Sequence, residues 1–222
     1  EWTGHAPILE EDIAFSNIAQ DELGHAWLWY NLSCKFSGDD PDRLVFFRSA
    51  TEYQNMQMVE LPNSDWAFSI LRQYLFDAYE LEHLTHLIGS SFQPISEIAA
   101  KIRSEELYHL RHTSNWIKRL GLGTEESNRR TQLALDSLWP FTGQLFELSP
   151  DQEPLIDEGR LPDPELLRSR WIESVGTFLR QSELVIPSEA PISSPRNKHT
   201  IHLAELLEDM QQVARLDPDA RW

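Results

Sequence analysis

The sequence predicts an all-α fold, a bundle of long antiparallel helices, on three observations. Apolar residues recur at helical spacing through several long segments, cap and break residues separate those segments, and no strand-period run or fixed-length repeat occurs. Pro7 is placed to open a first long helix, in which Ile13, Phe15, Ile18, Ala19, Ala26, Trp29 and Leu32 recur to about Phe36 before Gly38 closes it. A shorter helical stretch follows the turn-like Gly38-Asp39-Asp40-Pro41. Pro62-Asn63-Ser64-Asp65 offers caps for a second long helix reaching about Ile88. Pro94 can start a third, ending near Leu120 where Gly121 and Gly123 supply a stop. A fourth begins at Thr124 and should kink or split at Pro140, which lacks one backbone donor. A helix over about Asp163–Val185, with Leu166, Leu167, Trp171, Val175 and Phe178 on one face, and a last one over about Ile201–Leu216 complete the chain.

A chain of 222 residues suits one domain with a substantial core. The expected organisation is a single helical domain over 1–222 whose C-terminal part, from about 150, is a helical extension. Nineteen Lys and Arg against 36 Asp and Glu give a formal charge of −17, which repels phosphate backbones and anionic membranes and argues against nucleic-acid binding. No segment approaches the roughly 20 apolar residues a membrane span needs, and the one cysteine, Cys34, can make no internal disulfide. A reducing cytoplasm is the expected location. The chain opens at Glu1-Trp2 without a methionine, inside sequence that reads as structured, so an upstream helix is expected.

Chemistry concentrates in two units. Glu22 and His25 stand three apart in Asp21-Glu22-Leu23-Gly24-His25, and Glu106 and His109 repeat that spacing in Glu105-Glu106-Leu107-Tyr108-His109. Residues three apart on a helix project from one side. Phe15, Ile18, Glu22, His25 and Trp29 share one stripe, and Ile98, Ile102, Glu106, His109 and Trp116 another, so both polar pairs interrupt apolar faces. On the second long helix Asp77 aligns with Ile70, Tyr74, Leu81 and Leu84 as a further carboxylate on an apolar face. Ionised carboxylates buried without partners cost several kcal/mol each, so these stripes require mutual pairing or a cation. Duplicated Glu-x-x-His units on separate helices are how ferritin-like bundles hold two irons. The other histidines, His5, His83, His86, His112, His199 and His202, read as surface or hydrogen-bonded structural groups. Seven tryptophans, Trp2, Trp27, Trp29, Trp66, Trp116, Trp139 and Trp171, read as core or interface anchors. The cations Arg103, Arg111, Lys118 and Arg119 read as a solvated helix face.

Over nearly its whole length the chain resembles the phenylacetic acid catabolic proteins that form the oxygenase core of bacterial phenylacetyl-CoA ring-1,2-epoxidase. Glu1-Trp2-Thr3-Gly4-His5-Ala6-Pro7, Glu11-Asp12-Ile13-Ala14, Trp139-Pro140-Phe141 and His199-Thr200-x-His202-Leu203 with terminal Trp222 look most like the PaaC-type subunit. In that family the PaaA-type subunit holds the metals, and the PaaC-type subunit is a structural partner that has often lost ligands. Here the pattern is kept. By that resemblance Glu22 and Glu106 are implied to bridge two irons, His25 and His109 to hold one each, and Asp77 to be a terminal ligand. Another carboxylate is implied on a helix about ten residues before Trp2; Glu1, Glu10 and Glu11 are candidates to replace it, though none has the family position.

The expected function is therefore a di-iron subunit of a multicomponent monooxygenase that epoxidises an aromatic acyl-CoA, with electrons from a separate NAD(P)H-dependent reductase. The chain shows no Gly-rich dinucleotide loop and no cysteine cluster. The expected partner is a sibling ferritin-like subunit or a second copy, and manganese suits the donors as well as iron. Two rival readings are open: a structural partner with a vestigial site, and a stand-alone iron oxidase or radical generator in which Tyr74, Tyr79 or Tyr108 takes part.

Overall fold

The computed structural model describes residues 2–218 apart from the side chain of Pro150, so Glu1 and Trp222 lie outside the described residues. Every regular element among them is helical. In order these are α1 (Leu9–Ser37), α2 (Pro41–Phe46), a 3-10 turn (Ala50–Glu52), α3 (Gln57–Glu60), α4 (Trp66–Leu87), α5 (Gln93–Gly121), α6 (Glu125–Leu138), a 3-10 stretch (Trp139–Phe146), a 3-10 turn (Pro150–Gln152), α7 (Glu153–Asp157), α8 (Pro164–Gln181) and α9 (His202–Leu216).

The ends of the helices follow from local chemistry. Gly38 adopts φ 77°, the left-handed geometry that costs glycine little, and its N–H donates to Cys34. The Asp65 carboxylate accepts from the Phe68 N–H at 3.0 Å and starts α4. Thr124 and Ser127 form a reciprocal capping box at α6. Pro140 tightens the continuation of α6 into 3-10 geometry, the split its missing donor predicts. Two boundaries differ from expectation. Helix α1 begins at Leu9, because Asp12 Oδ1 accepts from the N–H groups of Gly4 and Ala6 at 3.0 and 2.9 Å and folds the segment containing Pro7 back on the first turn. Helix α8 stops at Gln181, four residues early. Val185 has left it to exchange two 2.8 Å hydrogen bonds with the Gln132 side chain.

Pairings across helices show the antiparallel order. Arg103 reaches Thr85 and Thr113 reaches Asp77, which runs α4 against α5. His25 reaches Glu105 and His112 approaches Glu11, which runs α1 against α5. Trp171 donates to the Leu75 carbonyl at 3.2 Å while Phe178 packs on Tyr74, which lays α8 along α4. The result is a ferritin-like helical bundle. Its main core gathers Ile70, Leu71, Leu75, Leu135, Leu138, Trp171, Val175 and Leu179 from α4, α6 and α8. Trp66, Trp139 and Trp171 are buried anchors, whereas Trp27 is 61 % exposed on the outer side of α1. Helix α9 packs Leu203 and Leu207 on Tyr53. Its approach is pinned by buried Glu60, whose carboxylate meets His199 Nδ1 at 2.7 Å and the Thr200 N–H at 2.6 Å.

Candidate metal centre

Helices α1, α4 and α5 converge on a polar seam inside the bundle. The apolar stripes predict Glu22 and His25 on the inner side of α1 and Glu106 and His109 on that of α5. In the structure His25, Glu106 and His109 are buried, and Glu22 keeps a third of its side chain exposed. Donor atoms of Glu22, His25 and Glu106 all lie within 4.8 Å of one another, a cluster that could hold a metal ion. His25 Nδ1 is 3.7 Å from Glu22 and 3.8 Å from Glu106, and His109 Nδ1 is 2.7 Å from Glu106 and 3.7 Å from Glu22. Glu22 Oε1, His25 Nδ1 and Glu106 Oε2 are shielded from solvent without a hydrogen-bond partner. Proteins rarely leave buried polar atoms so, since each costs about 1–3 kcal/mol.

The far side of each imidazole is held by an acid that helical spacing did not single out. His25 Nε2 meets Glu105 at 2.7 Å, and His109 Nε2 meets Asp21 at 3.1 Å. The brace is reciprocal: the acid preceding the Glu-x-x-His unit on each helix grips the histidine of the other. Such outer carboxylates fix ring orientation and leave the opposite nitrogen facing the centre.

Electrostatics reflect the crowding. Burial pushes the Asp77 carboxyl well above the usual range, with the Glu106 charge adding to it. Burial also raises Glu80 well above its usual value, reinforced by Glu106, Glu22 and Asp77. Glu106 is raised by burial and by Glu22, against the pull of His109. Burial alone would lower the histidines, but hydrogen bonds and charges from the carboxylates win: His25 is raised through Glu22 and Glu105, and His109 reaches about 9 through Glu106 and Asp21. At neutral pH the His109 imidazole is therefore protonated, and its charge offsets part of the surrounding carboxylate charge.

Asp77 is fully buried beside this cluster, but both oxygens are already engaged. Gln73 Nε2 donates to Oδ1 at 2.6 Å and Thr113 Oγ1 to Oδ2 at 2.8 Å. Glu11 cannot serve as the extra carboxylate. Eleven residues of helix place it about 16 Å along α1 from Glu22, and its partner is His112 at 3.0 Å. Glu10 is exposed.

Residues 1–222 match the family described as phenylacetic acid catabolic protein. The chain belongs to this family. Among curated relatives, the C subunit of the 1,2-phenylacetyl-CoA epoxidase of Escherichia coli strain K12 is 37 % identical over 225 residues, covering 100 % of this chain and 91 % of that protein. For a phenylacetic acid catabolic protein of this kind, the sequence located the paired units but missed Asp21, Glu105 and Glu80. The first two were visible only as acids flanking each unit. Glu80 was hidden because it sits one turn beyond Asp77, and Asp77 alone aligned with the apolar stripe.

Two cavities abut the seam. One of about 310 Å³ is bordered by Phe76, Tyr79, Glu80, His83 and Phe146, and one of about 320 Å³ by Glu22, Val59, Arg72, Gln73 and Phe76. Burial lowers the His83 imidazole to about 4, so it lines its cavity as a neutral ring stacked on Tyr79. Among the described residues no helix is long and apolar enough to cross a membrane.

Proposed function

We propose that the chain is a component of a phenylacetyl-CoA epoxidase complex like that of its relative, and that it holds two irons between α1, α4 and α5. The observation that carries this reading is the set of solvent-shielded, unpartnered donors on Glu22, His25 and Glu106, a donor chemistry that fits iron or manganese. Glu22, Glu106 and Asp77 would hold the metal through carboxylate oxygens, and His25 and His109 through one nitrogen each. Iron held there, reduced by a separate NAD(P)H-dependent reductase, supplies the activation of O2 needed to epoxidise the ring of an aromatic acyl-CoA.

The protein's own part is positioning and exclusion of water. Glu105 and Asp21 take the outer N–H of each histidine and so aim Nδ1 inward. Thr113 and Gln73 fix the Asp77 carboxylate from two sides, which keeps it from swinging toward the apolar core. Glu22, the one partly exposed member, faces a cavity through which a small molecule can approach the seam. Phe76 stands between that cavity and the one bordered by Glu80.

Likeness to the C component of the Escherichia coli epoxidase supports a second reading, a structural partner with an inherited site. The outer side of α1 favours it: Leu23 and Trp27 are 72 % and 61 % exposed, a surface suited to a sibling helix. Metal content of the purified full-length chain separates the two. About two irons per chain, lost in the His25→Ala, His109→Ala double variant, is the expected result for a bundle site of this type. A full-length chain that takes up no iron leaves the structural reading. Glu106→Ala assembled with its partners adds a second arm, because unchanged turnover of the complex also points to a scaffold.

A further inference from the structure

Glu80 is a carboxylate without a counter-group. It lies one turn after Asp77 on α4, the helix packed along α5. Its Oε2 is shielded from solvent and has no hydrogen-bond partner, the condition shared by Glu22, His25 and Glu106. The charges acting on it are Glu106, Glu22 and Asp77, all carboxylates. Asp77, by contrast, has a donor on each oxygen. Of Asp77 and Glu80, Glu80 is the one with a shielded oxygen that no donor reaches.

An acid with a solvent-shielded oxygen, only carboxylates as its charged neighbours and no donor is unfavourable on every count except one, the arrival of a cation. The side chain is also the longer of the two, with one more methylene to reach across the seam. We propose that Glu80 is a metal ligand of this chain, the second carboxylate supplied by α4, and that it completes the donor set which Glu22, His25, Glu106 and His109 begin. The inference rests on the metal-holding reading above. It assigns to α4 an Asp77-x-x-Glu80 pair, so that each of the three helices contributes two donors at a spacing of three residues. That symmetry lets the described residues supply six donors, four carboxylates and two imidazoles, without any carboxylate from elsewhere. Glu80 also borders the cavity of about 310 Å³ that Phe76, Tyr79 and Phe146 help to enclose.

The test is anaerobic titration of the full-length, metal-free chain with ferrous ion, followed by metal analysis after dialysis, on wild type, Glu80→Gln, Glu80→Asp and the His25→Ala, His109→Ala pair. The expected result is that Glu80→Gln retains one iron fewer than wild type or binds at least tenfold more weakly, while Glu80→Asp, which keeps the charge, falls between. A second readout is thermal stability with and without ferrous ion. Glu80→Gln should melt at a higher temperature than wild type when metal-free, because a repelled carboxylate has been replaced by a neutral isostere, and should lose much of the rise in melting temperature that ferrous ion gives wild type. Wild-type stoichiometry and affinity in Glu80→Gln, with the histidine pair abolishing uptake, overturns the assignment of Glu80 and leaves the metal site standing. No uptake by wild type overturns both.

Discussion

Two buried regions of this bundle lie side by side and are built on opposite terms. Around Trp171, the helices α4, α6 and α8 bury Leu71, Leu75, Leu135, Leu138, Val175 and Leu179, and the one polar atom of the tryptophan finds the Leu75 carbonyl. Across α4, the seam with α1 and α5 buries Asp77, Glu106, His25 and His109 to the same depth, yet leaves donor atoms idle. The first region is finished by folding. The second asks for something folding does not bring, and the contrast within one helix shows that burial by itself says nothing about whether a site is structural.

Four measurements break or sharpen that contrast. Trp171→Ala should be the most damaging to stability, at about 3–5 kcal/mol for loss of a fully buried aromatic, read as a fall in denaturant midpoint, with metal per folded chain unchanged. The His25→Ala, His109→Ala pair should do the reverse, abolishing iron uptake while the metal-free melting temperature shifts little. If that pair unfolds the chain, the seam is a structural core after all.

The pH dependence comes next in size. His109 is raised to about 9 and Asp77, Glu80 and Glu106 are raised by burial, so the metal-free fold binds more protons than the unfolded chain. Stability of the metal-free protein should therefore fall as pH rises from the ordinary histidine value, about 6.5, to about 9. Metal must displace those protons, so iron affinity should rise over the same interval. Two melting curves against pH, with and without ferrous ion, should slope in opposite directions; parallel curves count against the centre.

Thr113→Val should have the smallest effect, about 1–2 kcal/mol from the lost hydrogen bond to a buried carboxylate, read as a small fall in denaturant midpoint. It would also leave Asp77 Oδ2 without its donor.

The fold was readable in the sequence wherever a single residue decides a local outcome. Gly38, Asp65, Thr124 and Pro140 mark their boundaries because each acts on its own few peptide groups. Pro7 and Val185 misled for the same reason in reverse: Asp12 and Gln132 override them, the second from 53 residues away. In the seam, helical spacing sufficed to pick out the Glu-x-x-His units, because their apolar neighbours set the inward face. It could not show that Asp77 is already hydrogen-bonded, that Glu80 is not, or that Trp27 faces outward, since those facts depend on which helix lies opposite.

The crossed grip of Asp21 on His109 and Glu105 on His25 ties two distant stretches of chain to each other. Neither five-residue segment is a working part alone, because the acid in each serves a ring in the other, about 80 positions away in the chain. A slip of one helix by a single turn would disconnect both grips at once, so the pair fixes the register of α1 against α5. A substitution at Asp21 or Glu105 is therefore felt at a ring on the opposite helix.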